Sequence, residues 1–100
     1  MSAYVALLLV DLHFPQAGSL KAKRKELSSL KGQLQQRFNC AVAEVDYQDT
    51  WQRAQLSVAL TSGSLGQLDR QTDTVERFIV DRFPDTSSIQ QFVTSVEDIG

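Results

Sequence analysis

Ala43-Glu44-Val45-Asp46-Tyr47-Gln48-Asp49-Thr50-Trp51-Gln52-Arg53 is the stretch on which the fold turns. Cys40 to Tyr47 reads as one strand. Gln52 to Leu60 reads as the next, with Ala54, Leu56, Val58 and Leu60 alternating against Arg53, Gln55, Ser57 and Ala59. Two strands this close in sequence pair as an antiparallel hairpin. Inside the first strand, alternation predicts Ala43 and Val45 on one face and Glu44 and Asp46 on the other, because successive side chains point oppositely. Glu44, Asp46, Asp49, the single Trp and Arg53 bring more polar chemistry to this hairpin than a turn requires.

Working outward, Ala3 to Leu12 is an apolar run with Tyr4, Val5 and Val10, suited to a central strand. After the loop Pro15-Gln16-Ala17-Gly18, Ser19 is placed to cap a helix over Leu20 to Arg37, with apolar residues at 20, 27, 30, 34 and 38. Downstream of the hairpin, Ser62-Gly63-Ser64 opens a second helix, which carries Leu65, Leu68, Val75, Ile79 and Phe83 before Pro84 stops it. Ile89 to Val96 is read as a last strand. The order β-α-β-β-α-β predicts an α+β, ferredoxin-like split βαβ fold: a four-stranded antiparallel sheet with both helices on one face, in a single domain over residues 1–100.

A chain of 100 residues, 42% hydrophobic and 22% charged, builds one core. Cys40 is the only cysteine, so it has no internal disulfide partner and reads as a small buried hydrophobe in a cytoplasmic protein. The apolar run Val5 to Val10 is too short to span a bilayer and ends at Asp11, so neither a membrane segment nor a signal peptide is expected. The net charge of −2 conceals an asymmetry: residues 1–43 hold six Lys/Arg against two acids, residues 44–100 four against ten. Such polarity suits an oriented partner, while the absence of a strongly basic balance argues against simple DNA binding.

In the expected topology the end of strand one, the end of strand two, the start of strand three and the start of helix one meet at one edge. Strand one places Tyr4, Ala6, Leu8, Val10 and Leu12 on one face and Val5, Leu7, Leu9, Asp11 and His13 on the other. With the first set under the helices, Asp11 and His13 are expected on the helix-free face beside Glu44, Asp46, Asp49, Trp51 and Arg53, a candidate polar edge. Three readings stand there. The edge is a hard-ion site, an acid–base site, or a network of cross-strand salt bridges joining Arg53 to Glu44 or Asp46. No close-spaced His/Cys pattern exists, and no metal ligand set, catalytic residue or cofactor is assigned.

A second cluster, Ser19, Lys21, Lys23, Arg24 and Lys25, lies in the first turns of helix one, where cations oppose the helix dipole by about 0.3 to 1 kcal/mol each when exposed. Exposed N–H groups with Lys and Arg make an anion site, most simply for RNA phosphates. The rival reading is a solvated helix face with Glu26 offsetting one charge. Trp51 beside Arg53 is suited to stacking on a base, although a lone Trp at a strand start is more often half-buried packing. Val5, Leu7 and Leu9, three neighbouring aliphatics on an open sheet face, predict a homodimer through that face.

Val10-Asp11-Leu12-His13-Phe14-Pro15, Ser19-Leu20-Lys21-Ala22-Lys23-Arg24, Arg37-Phe38-Asn39 and Ala43 to Ala54 closely resemble the pattern of the YlxP-like family of small bacterial proteins. The resemblance covers the first 54 residues by motif and the remainder by length and element order; Leu9 departs from it, standing where several relatives carry an acid. It implies a ferredoxin-like fold and a domain of unknown function, with no activity attached. Such proteins are often encoded beside translation and ribosome-maturation factors, which tilts the expectation toward RNA or the ribosome as partner. A module binding RNA through the basic helix start is the first expectation. A small-ligand protein or enzyme using the Asp11, His13, Glu44, Asp46 edge, and a dimerisation module, are the alternatives.

Overall fold

The computed structural model describes residues 1–99. The elements are β1 (Tyr4–His13), α1 (Leu20–Phe38), β2 (Ala41–Asp46), β3 (Arg53–Ser62), α2 (Leu65–Arg82), β4 (Ser87–Ser95) and a single helical turn, α3 (Val96–Ile99). The strands form one sheet in the order β2-β3-β1-β4, antiparallel throughout. This is the split βαβ, ferredoxin-like arrangement that the element order predicts.

Alternation along the two central strands builds the core. Ala6, Leu8, Val10 and Leu12 of β1 and Ala54, Leu56, Val58 and Leu60 of β3 are buried, with Leu8 opposite Val58 and Val10 opposite Leu56. Leu27, Leu30 and Leu34 of α1 and Leu68, Val75 and Ile79 of α2 cover them from one side. At the hairpin end Phe14 and Phe83 close the layer edge-to-face, with ring centroids 5.4 Å apart.

Local chemistry sets the helix ends. Ser19 is extended and its Oγ accepts from the Ala22 N–H at 3.1 Å; Ser64 does the same for Gln67 at 3.3 Å. Helix α1 closes on Asn39, which adopts the left-handed conformation at φ 55 that Asn tolerates better than most non-glycine residues.

Two expectations need correction. Strand β4 starts at Ser87 instead of Ile89 and ends at Ser95, because its backbone pairs with β1 from Leu12↔Ser87 to Tyr4↔Ser95 whatever its side chains. The second concerns β2. Val42 lies opposite Val58 and packs on the core, so the phase of the strand puts Glu44, opposite Leu56, on the helix face. A β-bulge between Glu44 and Asp46 then brings Asp46 opposite Gln55, on the open face. Glu44 and Asp46 therefore do not share a side of the sheet.

Candidate functional site at the hairpin end of the sheet

The end of the sheet where β1 and β2 finish and β3 begins is organised by a lysine. Positions 20, 23, 27, 30 and 34 of α1 share one stripe toward the sheet, and Lys23 occupies it with no exposed surface. Its stem passes between α1 and the sheet. Its Nζ donates three hydrogen bonds to main-chain carbonyls of the hairpin: Tyr47 at 2.9 Å, Thr50 at 2.7 Å and Arg53 at 3.1 Å. No carboxylate lies within ion-pair distance of it among the described residues. An ammonium has three protons, and here each meets one carbonyl. Lys23 thus ties α1 to the connection between β2 and β3, and it is withdrawn from the exposed anion cluster in which the sequence places it.

The loop held this way is tight. The Thr50 N–H returns to the Tyr47 carbonyl at 3.1 Å, and Asp46 Oδ1 accepts from the Tyr47 N–H at 2.7 Å. Tyr47 sits at φ 64, a conformation that disfavours a side chain by about 1 to 2 kcal/mol and that the Lys23 and Asp46 bonds sustain. The Arg53 guanidinium lies 4.0 Å from the centre of the Tyr47 ring.

On the open face Arg53 reaches across to β1. Its Nη2 bonds Asp11 Oδ1 at 3.1 Å, and Gln55 Nε2 donates to Asp11 Oδ2 at 3.3 Å. The ion pair is therefore Arg53 with Asp11 of the neighbouring β1, not with Glu44, which faces the helices, or Asp46. His13 stands opposite Arg53 in register and is exposed, as is Asp49; Trp51 is 48% exposed at the loop tip.

Of the expected polar edge, Asp11, His13, Asp46, Asp49, Trp51 and Arg53 gather at this end, while Glu44 leaves it. Glu44 instead lines a shallow groove beneath α1 with Arg24, Leu27, Ser28 and Lys31. Among the described residues no three His, Cys, Asp or Glu side chains are grouped to hold a metal ion. The chemistry left at the edge is an Asp11–Arg53 ion pair, the exposed carboxylates of Asp46 and Asp49, an exposed imidazole and an exposed indole. Cys40 is buried away from all of it, and burial pushes its thiol pKa up, which keeps the weakly nucleophilic protonated form.

The basic cluster changes membership. Lys21, Arg24 and Lys25 are exposed on α1, Ser19 is spent on the helix cap, and Lys23 is inside. Lys31 joins the set, seven residues beyond Arg24 and on the same flank, which the i+7 spacing foreshadows. On the open sheet face Leu7 is 40% exposed and Val5 and Leu9 half-buried, and the register adds Phe92 of β4, directly opposite Leu7 and 55% exposed. Phe92 was hidden from a sequence reading because only strand pairing places it beside Leu7.

Residues 5–92 match a family model described as protein of unknown function (DUF503). The chain is 40% identical over 81 residues to the uncharacterized protein YlxP of Bacillus subtilis (strain 168), covering 81% of this chain and 84% of that one. A de novo designed protein, Foldit4, superposes with a TM-score of 0.60 over 93% of this chain and 97% of that one at 10% identity, a likeness of fold alone.

Proposed function

Since the chain belongs to the DUF503 family of proteins of unknown function, its role has to be read from its own surface, and we propose that it is a non-catalytic cytoplasmic module binding structured RNA through the outer flank of α1. One observation carries this reading. Lys21, Arg24, Lys25 and Lys31 form a strip about 15 Å long on one helix, and none of them has a carboxylate in ion-pair distance among the described residues. Glu44 beneath Arg24 and Lys31 offsets only part of that charge. Unpaired cations in a row suit a phosphate backbone, where affinity comes from displaced counterions and not from base edges. By contrast, the polar edge at the hairpin spends Asp11, Arg53 and Lys23 on internal bonds, which favours binding over acid–base chemistry there.

The test is binding to a labelled structured RNA and to ribosomal subunits at two salt concentrations. With three to four phosphate contacts, affinity should fall roughly 20- to 150-fold for a fourfold rise in salt. The variant Lys21→Gln, Arg24→Gln, Lys25→Gln, Lys31→Gln should bind weakly and with little salt dependence, while folding normally because Lys23 is left in place. Salt-insensitive association, or equal affinity of the variant, would sink the proposal.

The open sheet face supports a second reading, self-association as a homodimer. Leu7 and Phe92 face solvent side by side, and the only charges nearby on β1 and β3 are the mutually neutralised Asp11 and Arg53 and the exposed His13, so one copy would not repel another. Light scattering should then give a dimer at high micromolar concentration and a monomer for Phe92→Lys. A monomeric parent protein at that concentration would remove this reading.

A further inference from the structure

At the end of the molecule opposite the hairpin, where α1 finishes and α2 starts, a cleft of about 340 Å³ opens between the two helices. Phe38, Leu60 and Val75 form its floor, and Arg37, Arg70, Gln67 and Gln71 stand around its rim. Phe38 is a firm platform, packed edge-to-face on Phe78 at 5.1 Å. Arg37 is braced by the same Phe78, its guanidinium 5.6 Å from the ring centre. Arg70 folds back toward the start of α2, with Nη1 3.6 Å from where a side chain on Gly66 would begin.

No carboxylate lines this cleft, and neither arginine has an ion-pair partner among the described residues. Two guanidiniums line the one cleft with no carboxylate to balance them, and their planar forks match phosphate oxygens. The apolar floor, with the Phe38 ring in it, suits a planar, uncharged body on the same molecule. Gln67 accepts a long bond from the Ser62 hydroxyl at 3.4 Å and keeps its NH₂ for a ligand, and Gln71 lies one turn further along α2. These amides suit the polar edge of a ring. A second hollow of about 410 Å³ shares Phe38, Leu60 and Gln71 and leads round to Val5, Ala59 and Thr61, so a longer ligand has somewhere to continue.

We propose that this cleft binds a nucleoside monophosphate, free or as the 5′-phosphorylated end of an RNA strand, with the base on the Phe38–Leu60 floor and the phosphate between Arg37 and Arg70. The site lies apart from the outer flank of α1 and stands whether or not that flank binds RNA.

The experiment is an amide NMR titration of the full chain with AMP, GMP, adenosine, inorganic phosphate, and a tetranucleotide with and without a 5′-phosphate. The expected result is saturable shifts at Phe38, Gln67 and Gln71 with the monophosphates or the phosphorylated oligonucleotide, and affinity at least about tenfold weaker for adenosine and phosphate alone. Arg37→Gln and Arg70→Gln, each retaining a dispersed folded spectrum, should each weaken binding about tenfold. Response to the phosphorylated oligonucleotide but not to free nucleotides identifies an RNA end as the source; the reverse identifies a free nucleotide. Absence of shifts with every phosphorylated probe at millimolar concentration overturns the proposal, as does binding that is indifferent to both arginine variants or equally strong for inorganic phosphate.

Discussion

Lys23→Met should lower stability by about 2 to 4 kcal/mol, a fall in melting temperature on the order of 10 to 20 °C for a domain of this size. Methionine keeps the stem packed against α1 and the sheet but offers no donor. Three carbonyls, those of Tyr47, Thr50 and Arg53, then lose the partner that sits 2.7 to 3.1 Å away. Each unsatisfied carbonyl in a water-poor site is unfavourable by about 1 to 3 kcal/mol, while removing a buried ammonium recovers part of its desolvation. The damage should concentrate in residues 47–53, so Trp51 fluorescence and amide exchange there should change before the rest of the sheet loosens. Lys21→Met and Lys25→Met, exposed on the same helix, should move the midpoint by less than about 0.5 kcal/mol. A Lys23 variant as stable as these would show that the three bonds do not hold the hairpin.

Leu8→Ala should be at least as severe, about 3 to 5 kcal/mol, because Leu8 has no exposed surface at the centre of β1 and packs beneath the helix layer. Its neighbour Leu7 provides the contrast. It points to the open face at 40% exposure, and Leu7→Ala should cost under about 1 kcal/mol in the monomer. Where the sheet faces associate, Leu7→Ala should weaken that association while Leu8→Ala weakens folding. Similar losses from both, in denaturant titrations at low protein concentration, would mean that the two faces of β1 are equally buried in solution.

Much of this molecule was legible because its strongest signals are periodic. Alternation in β1 and β3 sorted Leu8 from Leu7 and Leu56 from Gln55, and Ser19 and Ser64 marked where helices start. The candidate site was less legible, since its residues depend on pairings between segments distant in sequence. Lys23 is the instructive case. The stripe read from spacing was 20, 27, 30, 34 and 38, and a lysine among other cations reads as solvated until the carbonyls that receive it are in place. Glu44 was misplaced for a different reason: the phase of β2 turns Val42 to the core and so carries Glu44 to the helix face, and the bulge that follows returns only Asp46 to the open face.

The sequence by itself determined the order of elements, the helix caps, the buried stripe of each central strand and the polar character of the hairpin. These follow from local geometry and from the transfer of apolar side chains out of water, which depend on spacing alone. Tertiary structure alone decided that Arg53 pairs with Asp11, that Phe92 completes the Leu7 surface, that Lys23 is a brace inside the fold, and that Arg37 and Arg70 share a cleft. Each joins groups brought together by strand register or helix packing, and short-range polar interactions have no meaning until that packing has fixed which donor meets which acceptor.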